Sequence, residues 1–437
     1  MTHRYTRAAL TSAGLSLLFL VVYGGCLVIT SYRTDVGHFY FEWEKYIPFV
    51  PLMVVPYLSI DLFFIAAPFL CTSDEERRRL ASRIVLAILA AGACFLLFPL
   101  KFAFVRPHID GMLGVVFDGF RRLDLPYNLA PSLHIALRAI LAGLYARHTR
   151  GWVRIASHVW FVLIGLSTLL VWQHHLIDLV TGFILAMYVA FIFPENRSAP
   201  AGTRNASLGL YYAVGCAAPV ALAWGFRPWG MLFLWPAIAC AILCAGYLTR
   251  GAAIFHKNNG RLPLASRLVL GPVLLGQRLS LLYYQRHCRP WDAVTPQVWI
   301  GRLLDEQEAA AAVAGGVTAV LDLTGEFSEA RPFLAVRYKN IAVLDLTAPS
   351  PDCLREMGDF IAAESATGIV YVHCKIGYSR SAAAVGAWLL SSGRAVSVED
   401  AVATLSRVRP TIVVRPEVHA ALGKFHAEKA GTGVRAE

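Results

Sequence analysis

Long runs of apolar residues fill roughly the first 250 positions, and beyond about Pro290 they give way to short apolar runs interspersed with Asp, Glu, Arg and Gly. A bilayer core about 30 Å thick takes about 20 residues of apolar helix to cross. Stretches of this kind lie at 10–30, 49–70, 84–105, 132–146, 152–172, 176–194, 207–226 and 229–249, which predicts eight membrane spans. The fourth is short and carries His134 and Arg138. The first follows Arg4 and Arg7 and is read as a retained span, because its apolar run is long and no small-x-small cleavage site follows. Residues 265–287 mix apolar positions with Arg267, Gln277, Arg278 and Arg286, which predicts an interfacial helix rather than a ninth span.

The pattern then changes period. Strands are predicted at 298–302, 318–323, 340–346 and 369–374, with helices across 305–314 and 351–364 and three more at about 380–391, 397–408 and 416–428. Strands alternating with helices imply a compact α/β domain with a largely parallel sheet. The expected fold class is therefore a multi-span α-helical membrane bundle followed by such an α/β domain. Its expected organisation is a membrane domain over 1–250, an interfacial linker over 251–290 and the α/β domain over 291–430.

Composition agrees with a membrane protein: 57% of residues are hydrophobic and the mean hydropathy is +0.53. The formal charge of +11 comes from Lys and Arg dispersed among the predicted loops, without the basic patch and interleaved aromatics of a nucleic-acid surface, so no nucleic-acid partner is expected. Cations in short loops mark the cytoplasmic side. Arg4 and Arg7, then Arg77, Arg78, Arg79 and Arg83, then Arg147, Arg150 and Arg154, then Arg197 and Arg204 place the N-terminus and the C-terminal domain inside. The location expected is a bacterial inner membrane. The loop with Lys101, Arg106, Arg121 and Arg122 falls outside and breaks the charge rule, which a catalytic use of some of those cations would explain. The nine cysteines form no CxxC pair, so neither a zinc site nor a disulfide framework is expected.

The strongest chemical signal is His373-Cys374-Lys375-Ile376-Gly377-Tyr378-Ser379-Arg380-Ser381, between a β-branched strand and a small-residue helix. Five residues between Cys374 and Arg380 let the backbone N–H groups wrap around phosphate oxygens at the positive end of the following helix. The same donors favour the thiolate of Cys374, Arg380 can grip two oxygens, and Gly377 supplies a backbone conformation that larger residues resist.

This segment resembles the dual-specificity branch of the protein tyrosine phosphatase family over about 292–428, including VWIGR at 298–302. The resemblance implies attack on phosphorus by Cys374, phosphoryl binding by Arg380 and a general acid at Asp345, with Asp352 as runner-up. Ser381 matches the hydroxyl that assists breakdown of the cysteinyl-phosphate. Lys375 adds a cation inside the loop, as in family members acting on phosphoinositides or phosphatidylglycerophosphate. A lipid headgroup is thus the expected substrate, beside a phosphoprotein.

The apolar half carries three further clusters: KFAFVRP (101–107), PSLH (131–134) and STLLVWQHHLID (167–178). Ionisable residues at the ends of spans are functional candidates because burial in hydrocarbon is costly. Over about 40–195 the clusters resemble the type 2 phosphatidic acid phosphatase superfamily, in the branch related to inositol phosphorylceramide synthase. That implies His174 as nucleophile, Asp178 as its orienting partner, His134 as acid to the leaving alcohol, and Lys101 and Arg106 as phosphate ligands. His175 is the less favoured nucleophile by spacing. The pattern departs from the family: Lys101 and Arg106 stand closer together than usual, PSLH replaces PSGH, and Thr168 stands where an arginine follows the serine. Arg138, one turn after His134, is the expected replacement. Asp61 is assigned no catalytic role.

Two phosphatase-type sites, neither needing a metal or cofactor, are the favoured reading, with lipid phosphates, phosphoinositides or phosphoproteins as substrates and membrane lipids as partners. The alternatives are a headgroup transferase in the membrane half, or a phosphate sensor or scaffold without turnover in one half.

Overall fold

A computed structural model describes residues 2–196, 204–226 and 232–433. Arg197 and the first three positions of the span expected at 229–249 lie outside the described residues. The chain divides into two compact units, Met1–Glu195 and Asn196–Glu437.

The first unit is helical: α1 (Thr2–Ser31), α2 (Val54–Leu70), α3 (Asp74–Leu97), α4 (Gly111–Leu123), α5 (Leu133–His148), α6 (Gly151–Leu170) and α7 (Leu176–Ile192). Ser73 caps α3 by accepting from the Glu76 N–H, and Asp74, Glu75 and Glu76 fill its positive first turn. Leu80, Ile84, Ala87, Ile88, Ala91 and Phe95 recur at helical spacing along α3 and join the core that α5 enters with Leu133, Leu137, Ile140, Leu141 and Leu144. A Cβ on Gly182 would stand 2.4 Å from the Ser132 carbonyl oxygen, so glycine is what lets α7 press on the start of α5. The stretch read as apolar span to 105 leaves the helix at Leu97, because Pro99 disfavours helical geometry at the residue before it.

Each of the eight apolar stretches contains a helix. Among the described residues, six helices are long and apolar enough to cross a membrane: His3–Ser31, Pro51–Leu70, Asp74–Leu97, Gly151–Leu170, Ala206–Gly225 and Leu234–Phe255. The other two, α5 and α7, have 16 and 17 residues.

In the second unit, α8 (Ala206–Gly225) and α9 (Leu234–Ala245) are followed by a tight hairpin at 256–262, then α10 (Leu264–Val269) and α11 (Gly271–Tyr284), which occupy the stretch expected as an interfacial helix. The α/β part contains β1 (Trp291–Thr295), β2 (Val298–Arg302), α12 (Glu306–Ala314), β3 (Val317–Asp322), α13 (Arg331–Leu334), β4 (Arg337–Asn340), α14 (Pro351–Ser365), β5 (Ile369–Cys374), α15 (Ser379–Ser391), α16 (Val398–Val408) and α17 (Pro416–Gly433). The sheet runs β1-β2-β5-β3-β4, parallel except for the β1–β2 hairpin. β5 lies in the middle, so its C-terminal Cys374 emerges at the centre of one sheet edge, the usual position for ligand binding in parallel sheets.

The strand expected at 340–346 is displaced. β4 ends at Asn340, whose amide donates to the carbonyls of Asp322 and Thr324. Ile341 and Val343 still bond to Asp322 and Leu323, but the chain then crosses the strand ends as a buried loop, turning at Leu346 with φ of 60°. Ile341, Val343 and Ala348 pack in the core without forming a strand, and the loop delivers Asp345 to the Cys374 edge.

Candidate active sites

The loop from Cys374 to Arg380 joins β5 to α15, whose residues Arg380–Leu390 are all buried. Gly377 has φ of 78°, and a Cβ there would stand 2.5 Å from the Gly301 carbonyl oxygen, so both conformation and space require glycine. The Gly377 N–H donates to Cys374 Sγ at 3.3 Å. Burial alone would push the Cys374 thiol up, but the Arg380 charge, with the Ser381 hydroxyl and N–H beside the sulfur, outweighs it and holds the thiol below its ordinary value. The buried Ser379 hydroxyl has no hydrogen-bond partner among the described residues.

Arg380 is held in place from behind. Its two terminal nitrogens bond Glu326 at 3.2 and 2.7 Å, and one of them also donates to the Val343 carbonyl at 2.9 Å. Asp345 approaches from the other side, 3.4 Å from Arg380 Nη2, and accepts from Lys375 Nζ at 2.6 Å. Burial would raise the Asp345 carboxyl, but the charges of Arg380 and Lys375 hold it below the usual carboxylate range. The Asp345 carbonyl accepts from the Tyr247 hydroxyl at 2.9 Å, and Gln277 of α11 accepts from Lys375 Nζ at 2.8 Å. Cys374, Lys375, Arg380 and Asp345 border a pocket of about 280 Å³ that Tyr284, Tyr378 and Arg415 also line. Asp352 instead lies in the exposed first turn of α14, paired with Arg355.

Arg409, Glu329 and Asp322 carried no signal in the sequence. Arg409 is fully buried and donates to the Gly377 and Ile376 carbonyls at 3.0 and 3.2 Å and to Asp292 at 2.7 Å, so it fixes the outer side of the loop. His373, preceding the cysteine, pairs with Glu329 at 2.8 Å, and these two carboxylates pull its protonation above the ordinary range against burial: Glu329 first, then Asp322. Asp322, Glu329 and His373 lie close enough to share a cation, yet Lys257 Nζ already contacts Asp322, and Tyr338 donates to the same carboxylate at 2.6 Å. The donor set therefore fits an internal ammonium rather than a metal.

Residues 299–428 match the family model described as dual specificity phosphatase, catalytic domain. The C-terminal domain is a cysteine-based phosphatase domain of the dual-specificity type. Among curated proteins, the human phosphatidylglycerophosphatase and protein-tyrosine phosphatase 1 is 35% identical over 97 residues, covering 22% of this chain and 48% of its own length. A tyrosine-protein phosphatase CDC14 homolog of Schizosaccharomyces pombe is 28% identical over 109 residues, covering 24% and 20%. The chain thus spans between a fifth and about half of the curated relatives it matches. A crystal structure of PTPMT1 in complex with PI(5)P is also similar, with 24% identity and a TM-score of 0.31, covering 33% of this chain and 99% of that one.

The first unit holds a separate cavity of about 540 Å³, to which His134, His174, Asp61 and Asp124 all contribute. His134 stacks on Tyr57 with ring centres 4.4 Å apart, and its Nε2 has no hydrogen-bond partner among the described residues. His174 Nδ1 stands 3.5 Å from Asp178, whose other oxygen is unpartnered among the described residues. His175 is occupied elsewhere: its Nε2 accepts from the Ala103 N–H at 3.2 Å, which puts the proton of the neutral ring on Nδ1, 3.0 Å from Glu44. Asp124, which the sequence pattern did not mark, is half-buried and accepts from the Tyr23 hydroxyl at 2.9 Å.

The expected phosphate ligands do not line this cavity, although the Arg106 charge lies near enough to act on Tyr23, Tyr57 and Asp124 in its wall. Lys101 is exposed, with its backbone N–H on Gly37. Arg106 lies over the Phe102 ring and donates to the Trp172 carbonyl at 3.1 Å. Arg138 turns toward α6 and donates to the Phe161 carbonyl, because a side chain one turn below His134 meets the neighbouring helix rather than the opening.

Proposed function

We propose that the α/β domain hydrolyses phosphomonoesters in two steps at Cys374. The thiolate attacks phosphorus, forming an S–P bond as the P–O bond to the leaving group breaks. The protonated Asp345 gives its proton to the departing oxygen. Water then attacks the phosphocysteine, Asp345 takes a proton from it, and the S–P bond breaks to release phosphate and restore the thiolate, with Ser381 stabilising the sulfur. Arg380 grips two phosphoryl oxygens and the loop N–H groups take the charge that develops. Lys375, Gly377 and Arg380 form the phosphate cradle. The observation that carries this reading is the convergence of Cys374, Arg380 and Asp345 on one pocket with the thiol below its ordinary value. Phosphate release from an aryl phosphate by the full chain tests it, with activity expected in the wild type and none in Cys374→Ser.

A phospholipid headgroup phosphate is the favoured substrate and a phosphoprotein the second. Lys375 beside Arg380 and Arg415 suits a polyanionic headgroup, and six helices apolar enough to span a membrane would keep the domain near lipid. The cation-bearing loops support an arrangement with the N-terminus and this domain on the cytoplasmic side.

For the first unit we infer a histidine-based site acting on lipid phosphates, of the phosphatidic acid phosphatase kind. His174 would be the nucleophile with Asp178 behind it and His134 the acid. The unpartnered His134 Nε2 and the His174 ring on one cavity, with His174 Nδ1 turned to Asp178, support it, and the capture of His175 by Glu44 and Ala103 favours His174. Release of phosphate from phosphatidic acid, lost in His174→Ala, is the expected result; transfer to an added alcohol instead would make this half a headgroup transferase.

A further inference from the structure

Helix α11 has two unlike faces. Gln277, Leu281 and Tyr284 recur at i, i+4 and i+7, so they share one side, and that side closes on the phosphatase domain. Gln277 holds Lys375, Leu281 is buried against Leu303, Phe327 and Ile376, and Tyr284 lines the Cys374 pocket. Leu275, Leu279, Leu282 and Tyr283 fall on the opposite side and are 61%, 58%, 38% and 61% exposed. Arg278 and Arg286 are exposed nearby.

A stripe of four large apolar side chains flanked by arginines is the signature of a helix lying in a membrane interface. What covers it follows from its neighbours. Trp235, at the start of the candidate span Leu234–Phe255, donates to the Leu268 carbonyl at 2.9 Å, and a Cβ on Gly271 would stand 2.6 Å from the Trp235 ring. The start of α11 is therefore pressed on a helix apolar enough to sit in lipid, and the exposed stripe continues that surface. The exposed Leu264 of α10 extends it, at 54%.

We propose that α11 is a wall of the active site with its back on the bilayer, so that the Cys374 pocket takes phosphomonoester headgroups of lipids resident in that bilayer in preference to the same headgroups in solution. The helix does two jobs through its two faces: the apolar stripe fixes the height and tilt of the pocket mouth over the headgroups, and Gln277 holds Lys375 toward the incoming phosphate. This rests on the phosphatase reading of Cys374 and adds to it the physical state of the substrate.

The test uses the full chain in phosphatidylcholine vesicles, with His174→Ala as background so that only the Cys374 site acts. Three substrates are compared: long-chain phosphatidylinositol monophosphate in the vesicles, its water-soluble short-chain analogue, and an aryl phosphate. The bilayer-borne lipid is expected to exceed the soluble analogue at least tenfold in kcat/KM. Leu275→Gln/Leu279→Gln/Leu282→Gln is expected to lower that advantage about tenfold and leave the aryl phosphate rate unchanged. Leu279→Gln alone, a lighter change should the triple variant fail to fold, is expected to lower it about threefold. Equal rates on the lipid and its soluble analogue, or an unchanged ratio in a folded variant, would overturn the proposal while sparing the phosphatase reading. Failure to hydrolyse the aryl phosphate at all would overturn the phosphatase reading itself.

Discussion

Lys257, in the hairpin that follows the last candidate span, places its ammonium on the buried carboxylate of Asp322 and donates to the Thr324 carbonyl and hydroxyl at 3.1 Å each. Both side chains are almost wholly buried, and the lysine charge is what holds Asp322 down to about 2 against burial. The hairpin is anchored around them: the Glu329 N–H donates to the Gly260 carbonyl at 2.7 Å and the Leu262 N–H to Ser328 at 3.0 Å. The segment expected as a linker thus supplies part of the phosphatase domain's interior.

Removing one partner of a buried ion pair strands the other charge, at a cost of about 3–5 kcal/mol. Lys257→Met should destabilise the second unit by about that amount in a chemical denaturation series, and a fragment beginning at Trp291 should melt well below one beginning at Gly251. Lys257→Met combined with Asp322→Asn should recover part of the loss. Asp322 has a depressed carboxyl, so its contribution is present above its unfolded value and disappears as pH falls toward about 2. The destabilisation caused by Lys257→Met should therefore shrink in acid.

Glu326 touches Arg380 rather than substrate, so it is a positioning residue. Glu326→Gln keeps the shape and loses the charge-assisted bidentate grip. The expected result is a rise in KM for an aryl phosphate and a fall in kcat/KM of roughly 10- to 100-fold, with Glu326→Asp partly restoring it. A merely structural Glu326 would change melting and leave KM alone.

The pH profile carries a separate prediction. Catalysis needs Cys374 ionised and Asp345 protonated, and Lys375 and Arg380 keep Asp345 ionised in the empty site. An arriving phosphate dianion offsets those cations and raises the Asp345 carboxyl, so protonation is favoured by the substrate itself. Lys375→Met removes one of the two lowering charges, and the basic limb of the kcat/KM profile should move to higher pH. Asp345→Asn should abolish that limb and lower kcat about 10²- to 10⁴-fold for poor leaving groups, with less effect on activated aryl phosphates.

In the first unit, Glu44 holds the His175 ring and also accepts from the Leu176 N–H at 3.1 Å and the Phe41 N–H at 2.9 Å. Glu44→Gln should loosen the start of α7 and lower lipid-phosphate turnover modestly. His174→Ala should abolish it, which separates the two adjacent histidines by function as well as by contacts.

The Cys374 loop was legible in the sequence because its parts are consecutive: a strand, five loop residues and a helix start need no long-range information. The alternation from 298 to 374 gave the parallel sheet for the same reason, except that Ile341–Leu346 reads as a strand by composition while its course is set by Asn340 and the sheet edge. Glu326, Arg409 and Lys257 were invisible because their partners lie 54, 32 and 65 positions away. Arg138 looked like a phosphate ligand by helical spacing, yet which neighbour a helix face meets depends on packing, and there it meets the Phe161 carbonyl. Asp124 was passed over because a single acid after an amphipathic helix is ordinary; only its meeting with Tyr23, a hundred and one positions away, marks it.

The most direct test of the account is phosphate release by the purified full chain from an aryl phosphate and from phosphatidic acid, in wild type, Cys374→Ser and His174→Ala. Cys374→Ser is expected to lose the aryl phosphate activity and keep the phosphatidic acid activity, with the reverse in His174→Ala. Aryl phosphate turnover that survives Cys374→Ser would contradict the central claim.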